Sequence, residues 1–514
     1  MKNKGCVVLG FLLYLLSFLA LSSHAGQGDA LGLFMWKKRF NGNAHTEEAK
    51  MGSSKLSVSS GDRRFRLSEI VQPQKGLKEK DKIKTLPGQP GNVKFHQYGG
   101  YVTVNEKAGR ALFYYFVEAK KNKDVLPLII WFNGGPGCSS LGFGAMDEIG
   151  PFRVSSDAKT LYKNKFAWNN VANVLFIESP AGIGFSYTNT SSDFEVTGDQ
   201  STADDAYIFL MNWLERFPEY KNRKLYLTGE SYAGHYVPQL ALTILKHNKE
   251  GNQSIDLQGI AIGNPVLDDR DDEEISTPRF EYLLSHNLIS DEIMESIRAK
   301  CDCSKYVSGR IEESCYKSLI QTVPATLNIV PDNIYGPFCK NNVTAKPKRH
   351  SIQFYDPCSE KYVLAYLNRP EVQSAIHANV TELNYPWKGC SDFLYKPEKW
   401  ADSVHSVLPI LKELLDNRIR VLVYSGDIDF IVPVTCTKTS LKRLNLKEKF
   451  PWYAWNSSSE TGGLFVEYEE GLTFATVRGA GHMVPSYQPE RALMLIKYFL
   501  DGVPLPALDP PEVE

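Results

Sequence analysis

The chain has 514 residues, 43% of them hydrophobic and 23% charged, with a formal net charge of −1. That length suits one large domain with an insertion, or two domains, and excludes a small module. The balanced charge offers no footprint for nucleic acid and no polybasic membrane patch.

In chain order the first element is a leader. Lys2 and Lys4 precede an apolar run from Val7 to Leu21, and Ser23-His24-Ala25 supplies small residues at its exit. The run is shorter than the ~20 residues a spanning helix needs. Residues 1–25 are therefore expected to be a secretory signal peptide, and no stable membrane span is expected. Export to an extracellular or vacuolar destination agrees with five Asn-x-Ser/Thr acceptors, at Asn189, Asn252, Asn342, Asn379 and Asn456, read as N-glycosylation sites. Cys6 leaves with the leader, so eight of the nine cysteines remain, an even number in an oxidising route. Cys301 and Cys303 are too closely spaced for a zinc ribbon and no matching pair completes one, so neither a metal nor another cofactor is expected.

Residues 26–80 are polar and lysine-rich, without a sustained period, and read as a pro-segment or flexible N-terminal arm. Ordered sequence is expected from "IKTLPGQPG", and residues 81–265 form the first part of an α/β core. There "VLPLIIWF" ends in "NGGPGCSS", "NVLFIES" ends in "PAGIGFS", and "KLYLTG" ends in "ESYAGHYVP". Continuous apolar runs joined by helical patterns imply a parallel sheet covered on both faces. One such pattern is "STADDAYIFLMNWLERFP", with Ser201 or Thr202 as its cap and Pro218 after its end. Across 266–400 the alternation is lost and six cysteines gather, which reads as a cap inserted over the carboxyl ends of the strands. Its stretch 341–353 reads as an exposed basic loop open to proteolysis, and the run "DDRDDEE" from Asp268 as a solvated face. The core resumes over 401–507, where "RIRVLVYSGD" is a further strand ending in an acidic turn.

The chemistry is expected at the ends of these strands. A strand, then Gly229-Glu230-Ser231-Tyr232-Ala233-Gly234, then a helical pattern is the setting of a nucleophile elbow, although alanine replaces the last glycine of G-x-S-x-G. A serine hydroxyl is a weak nucleophile until a base takes its proton and an acid orients that base. Downstream, Asp427 and Asp429 follow one strand and His482 follows another, in the order Ser, acid, His. "NGGPG" from Asn133 lies where backbone donors for an oxyanion are needed.

Five segments, "WFNGGPGCSS", "FIESPAGIGFSY", "GESYAGHYVP", "YSGDIDFIVP" and "GAGHMVP", resemble the serine carboxypeptidases, the plant-type members above all, from about Asp81 to Ala507. The resemblance implies an α/β-hydrolase fold with a mostly parallel sheet and an inserted, disulfide-stapled cap. It also implies removal of single C-terminal residues from peptides and proteins at acidic pH. By motif, Ser231 would be the nucleophile, His482 the general base and acid, and Asp429 the residue that orients His482, leaving Asp427 structural. The backbone N–H groups of Gly135 and Tyr232 would form the oxyanion hole, and Asn133, Gly134, Glu148 and Glu230 would hold the substrate carboxylate. Near Glu148, "SLGFGAMDEIG" is one residue longer than in some members. Two glutamates held close share a proton, which turns an acid into a hydrogen-bond donor and favours acidic pH.

Similar proteins tie the cysteine of the glycine loop to one far downstream, which implies Cys138–Cys390 here. Cys339–Cys358, and Cys315 with Cys301 or Cys303, would staple the cap, with Cys303–Cys315 as the pair expected. Dimers occur among similar proteins, so a homodimer is an expectation of the resemblance. The same family includes acyltransferases that use sugar-ester donors. Those tend to carry Asp in place of Glu230 and to lack Trp131, so the residues here favour a peptidase.

Overall fold

An eleven-stranded mixed sheet forms the core, in a computed structural model that describes residues 70–508 apart from 92, 252–253, 273–275, 302–311, 341–354, 381, 383–384 and 395–399. The leader, most of the arm, the acceptors Asn252 and Asn342, Cys303 and the basic loop lie outside the described residues. In chain order the strands are β1 (Lys82–Ile83), β2 (Gln97–Asn105), β3 (Arg110–Val117), β4 (Leu128–Phe132), β5 (Phe152–Val154), β6 (Leu161–Lys163), β7 (Asn173–Ile177), β8 (Leu225–Glu230), β9 (Leu257–Gly263), β10 (Arg420–Gly426), β11 (Glu448–Ser457), β12 (Glu460–Tyr468) and β13 (Leu472–Val477). The sheet order is β1-β2-β3-β7-β4-β8-β9-β10-β13-β12-β11, and β5 pairs with β6 in a separate hairpin.

The middle strands β7, β4, β8, β9, β10 and β13 are mutually parallel, and antiparallel pairs close both edges. Every residue of β4, β7 and β8 is buried, as strands covered on both faces require. Helices pack on the sheet. Ala233–Lys249 lies on β8 and β9 and against the helices Asp199–Arg216 and Leu408–Asp416. The first of these partners begins at Asp199, two residues before the earlier of its expected caps. Ser201 instead accepts the Gly198 N–H at 2.9 Å from inside the first turn.

The end of the expected arm, residues 70–80, touches the core at two points. Ile70 is buried, and Gln74 accepts hydrogen bonds from the Arg216 guanidinium at 2.8 and 2.9 Å. Among the described residues between β9 and β10 the chain adds no strand to the sheet. It forms short helices, among them Thr277–Ser285, Asp291–Lys300, Glu313–Leu319 and Ser359–Leu367, with a small apolar cluster around Phe280, Leu283 and Met294. Among the described residues three disulfides brace the chain: Cys138–Cys390, Cys301–Cys315 and Cys339–Cys358. The expected Cys303–Cys315 pair is therefore corrected. Cys301 ends the helix Asp291–Lys300, which packs on Glu313–Leu319 and sets its Cα 4.8 Å from that of Cys315, so Cys315 has no thiol left for Cys303. Among the described residues Cys436 is a free, buried thiol, and no helix is long and apolar enough to cross a membrane.

The acidic run from Asp268 is also corrected, because Asp268, Asp269, Asp271 and Asp272 are buried and not a solvated face. Each carboxylate has a partner, Asp269 with His405 Nδ1 2.9 Å from its Oδ2. Asp272 accepts the N–H groups of Leu267 and Asp268, Asp271 holds Arg443 and Ser440, and Asp268 holds Arg270. Sequence composition does not reveal such local pairing. Burial pushes the Asp272 and Glu178 carboxyls up to about 7, and those of Asp147 and Asp205 up to about 6. A carboxyl whose folded value is raised binds more protons folded than unfolded, so stability falls as pH rises from about 4 to about 7. Thermal unfolding is therefore expected to occur on the order of 5 °C lower at pH 7.5 than at pH 5. A melting temperature that rises over this interval would contradict the assignment of these groups.

Candidate active site

The parallel register places four turns side by side at the carboxyl edge of the sheet. β8 runs to Glu230 and leads directly into Ser231, which has a left-handed backbone with φ of 63°. A non-glycine residue in that region is strained, and here the strain points the hydroxyl away from its own strand. The elbow is tight around the next chain segment as well. A Cβ on Gly134 would stand 2.4 Å from the Tyr232 nitrogen, so only glycine lets the "NGG" loop reach the elbow. Gly135 follows with φ of 111°, which again suits glycine. This brings Gly135 and Tyr232, the two expected oxyanion donors, onto adjoining turns.

β10 ends at Gly426, and the next turn carries Asp427 and Asp429. Asp427 accepts the Gly479 N–H at 2.7 Å and so ties this turn to the one that bears His482. Asp429 is fully buried and surrounded by donors. His482 Nδ1 lies 2.8 Å from its Oδ2, which also accepts from Asn264 Nδ2 at 2.7 Å and from the Val432 N–H, while Oδ1 accepts the Ile431 N–H at 2.7 Å. Burial lowers the His482 pKa, but the charge and hydrogen bond of Asp429 outweigh it and hold it above the ordinary value. Ser231 Oγ and His482 Nε2 are both buried and neither has a hydrogen-bond partner. The serine–histidine bond is thus not closed here, as is common without substrate.

The expected carboxylate set lies beside the elbow. Asn133 Oδ1 accepts from the Trp131 indole at 2.7 Å and from the Gly144 N–H at 3.0 Å. With its oxygen committed, the amide directs Nδ2 to Glu148 Oε1 at 2.8 Å and Glu230 Oε1 at 3.1 Å. Both glutamates thus converge on one amide, and burial raises the Glu148 carboxyl. Glu148 Oε2 is buried without a partner. A π-helix runs over Ser140–Glu148 and brings Glu148 to the site at its end.

Four supporting residues were assigned no role from the sequence, three of them outside the five segments and Glu178 inside one. Asn264 orients Asp429 as described. Arg153 donates to Asp147 and to the Glu148 carbonyl, fixing the end of the π-helix. Asp199 accepts from Tyr232 Oη at 3.0 Å, from Trp400 Nε1 at 3.0 Å and from Gln239, and lies 2.9 Å from His235 Nδ1, so it anchors the elbow from behind. Glu178 accepts from Ser139, Leu141 and Phe185, joining two glycine-rich loops. Of the acceptors among the described residues, Asn189 is exposed, while Asn379 and Asn456 are half-buried.

Comparisons with known proteins agree with this geometry. A family model described as serine carboxypeptidase matches residues 87–502. Serine carboxypeptidase-like 40 of Arabidopsis thaliana is 55% identical across 84% of this chain and 85% of its own length. Serine carboxypeptidase 24 of the same plant is 48% identical across 83% of this chain and 93% of its own. Among solved structures, Kex1ΔP of Saccharomyces cerevisiae, a prohormone-processing carboxypeptidase, superposes with a TM-score of 0.65 at 23% identity, covering 84% of this chain and 96% of that one, a likeness of fold. Profile, relatives and site agree, and the chain belongs to the serine carboxypeptidase family, with the α/β-hydrolase fold.

Proposed function

We propose that the protein is a serine-type carboxypeptidase that releases single C-terminal amino acids from peptides and proteins, binding them best at acidic pH. One observation carries this reading: two buried glutamates converge on the Asn133 amide beside the nucleophile elbow, and the Glu148 carboxyl, raised by burial and with its Oε2 unpartnered, can keep the proton that makes it a donor. A terminal carboxylate needs such donors, and an internal peptide bond does not. Ser231 Oγ attacks the carbonyl before the terminal residue while His482 Nε2 takes its proton and then gives it to the departing amine. Asp429 holds the imidazole with its proton on Nδ1, and the N–H groups of Gly135 and Tyr232 stabilise the oxyanion. Water then hydrolyses the acyl-enzyme by the same proton route in reverse. The leader and acceptors support a secreted or vacuolar enzyme.

Acyl transfer from a sugar ester uses the same triad and is the second reading. Glu230→Gln separates the two. It keeps a donor at every pH and cannot ionise, so the rise in KM for a blocked dipeptide above mildly acidic pH is expected to flatten. Identical KM–pH curves for wild type and variant would remove the carboxylate clasp. If an acyl-glucose donor also outpaced every peptide, acyl transfer would take its place.

A further inference from the structure

Glu230, Gly263 and Tyr424 stand in one row across β8, β9 and β10, because Gly263 pairs with Glu230 on one side and with Tyr424 on the other. Residues in register project from the same face of a sheet, so the glutamate and the tyrosine share a face about 10 Å apart, with Gly263 between them. The space between is open because its middle residue has no side chain. A Cβ on Gly263 would meet Tyr424 Cε2, Cζ and Oη at 2.6, 2.7 and 2.8 Å. The outer end of the phenol therefore lies over β9, reaching from β10 toward the strand that carries Glu230.

The ring fills that space, but filling it does not explain the hydroxyl. Tyr424 is buried, and its Oη has no hydrogen-bond partner. A buried O–H without an acceptor costs free energy that phenylalanine in the same place would avoid. The charged groups that act on this phenol are Glu230 and Glu148, the two acids of the carboxylate clasp. Their other polar neighbours do not choose between them. Asn133 Nδ2 donates to both. Asp147 and Arg153 act on Glu148 in opposite directions and are paired with each other, and His482 senses Glu148 from the side of the triad.

We propose that Tyr424 makes the choice: its O–H closes onto the Glu230 carboxylate, which fixes Glu230 as the ionised member and leaves the proton on Glu148, whose Oε2 then donates to the terminal carboxylate of the substrate. Tyr424 touches no substrate and acts through Glu230, as a positioning residue. The donation to substrate rests on the peptidase reading; the bond from the phenol to Glu230 does not. A hydrogen bond donated to the charged form lowers the pKa of a carboxyl, so without the phenol Glu230 competes for the proton.

Tyr424→Phe keeps the ring and removes only a hydroxyl that has no partner, so the variant is expected to fold. The first test is the infrared absorption of protonated carboxyls in Glu148→Gln, where Glu230 is the acid left at the clasp. Its band is the one that a further Glu230→Gln removes. Adding Tyr424→Phe to Glu148→Gln is expected to raise the titration midpoint of that band by about one pH unit. A midpoint that stays or falls would overturn the proposal. The second is calorimetric binding of a blocked dipeptide and of its C-terminal amide to the Ser231→Ala protein at mildly acidic pH. The acid is expected to bind tighter than the amide, and Tyr424→Phe to cut that ratio on the order of 5-fold. Equal affinities in the parent, binding of neither compound, or a ratio that survives Tyr424→Phe would overturn the assignment of Glu148 as the donor. A raised midpoint and a lowered ratio, in a protein whose wild type hydrolyses no dipeptide, would sink the peptidase reading and leave Tyr424 in its role.

Discussion

Ser231→Ala is expected to lower kcat by a factor on the order of 10⁴ to 10⁶ while leaving the fold unchanged. The size follows from the role: without Oγ no acyl-enzyme forms, and only water activated in a prepared oxyanion site remains. The stability half of the expectation follows from the contacts. Ser231 Oγ makes no hydrogen bond, so its loss leaves no partner unsatisfied. The strained backbone is held from outside the side chain, with the Ser231 N–H donating to Gly263 and its carbonyl accepting from Gly234 and Val266. Turnover of a blocked dipeptide, measured beside the melting temperature and the state of the three disulfides, checks both halves. Wild-type turnover by the purified variant would exclude Ser231 as the nucleophile.

Much of this arrangement was legible in the sequence because it depends on local pattern. Continuous apolar runs such as "NVLFI" and "LYLTGE" are long enough to identify buried strands, and small residues after them mark the turns where backbones approach closely. The order serine, acid, histidine follows from such strand ends, while the choice of Asp429 over Asp427 came from the resemblance, and the structure shows Asp427 tying two turns together. Other parts depend on packing between distant segments, which no local period encodes. Asp199 meets Tyr232, His235, Gln239 and Trp400 only because two helices and the insertion converge behind the elbow. The buried acidic run beginning at Asp268 looked solvated because composition cannot tell that Arg443 and Ser440 lie across from it. Cys301 and Cys303 are two residues apart, and the end of one helix decides which of them faces Cys315. The π-helix that ends at Glu148 has no local period to announce it, because it is a matter of backbone hydrogen bonding such as the Ile149 N–H to the Gly144 carbonyl.

Asp429→Asn is expected to reduce kcat by roughly 10⁴ with little change in KM, the effect known for the equivalent change in a Ser-His-Asp triad. The hydrogen bonds here explain why an amide cannot stand in. Both oxygens of Asp429 accept, Oδ1 from Ile431 and Oδ2 from Asn264 and Val432 as well as from His482. An asparagine has one acceptor and one donor group, so its NH₂ must face a donor on whichever side it lies. If the NH₂ takes the Oδ2 side it donates to His482 Nδ1, which puts the imidazole proton on Nε2 and removes the base from Ser231. If it takes the Oδ1 side it confronts the Ile431 N–H, and His482 loses the charge that favours its cationic form in the transition state. A purely structural role for Asp429 would also lower activity, so the pH dependence of what remains is the sharper readout. In the wild type, burial lowers the His482 pKa while Asp429, with Asp332 and Glu148 further off, raises it, and the net direction is up. Because the base must be neutral, a raised pKa sets the acid limb of kcat/KM at higher pH, while loss of the shared glutamate proton sets the alkaline limb. Removing the Asp429 charge should lower the His482 pKa, so the acid limb of the residual activity moves to lower pH and the alkaline limb, set by Glu148 and Glu230, stays. A variant whose two limbs shift together, or whose acid limb does not move, would show that Asp429 does not set the charge of His482.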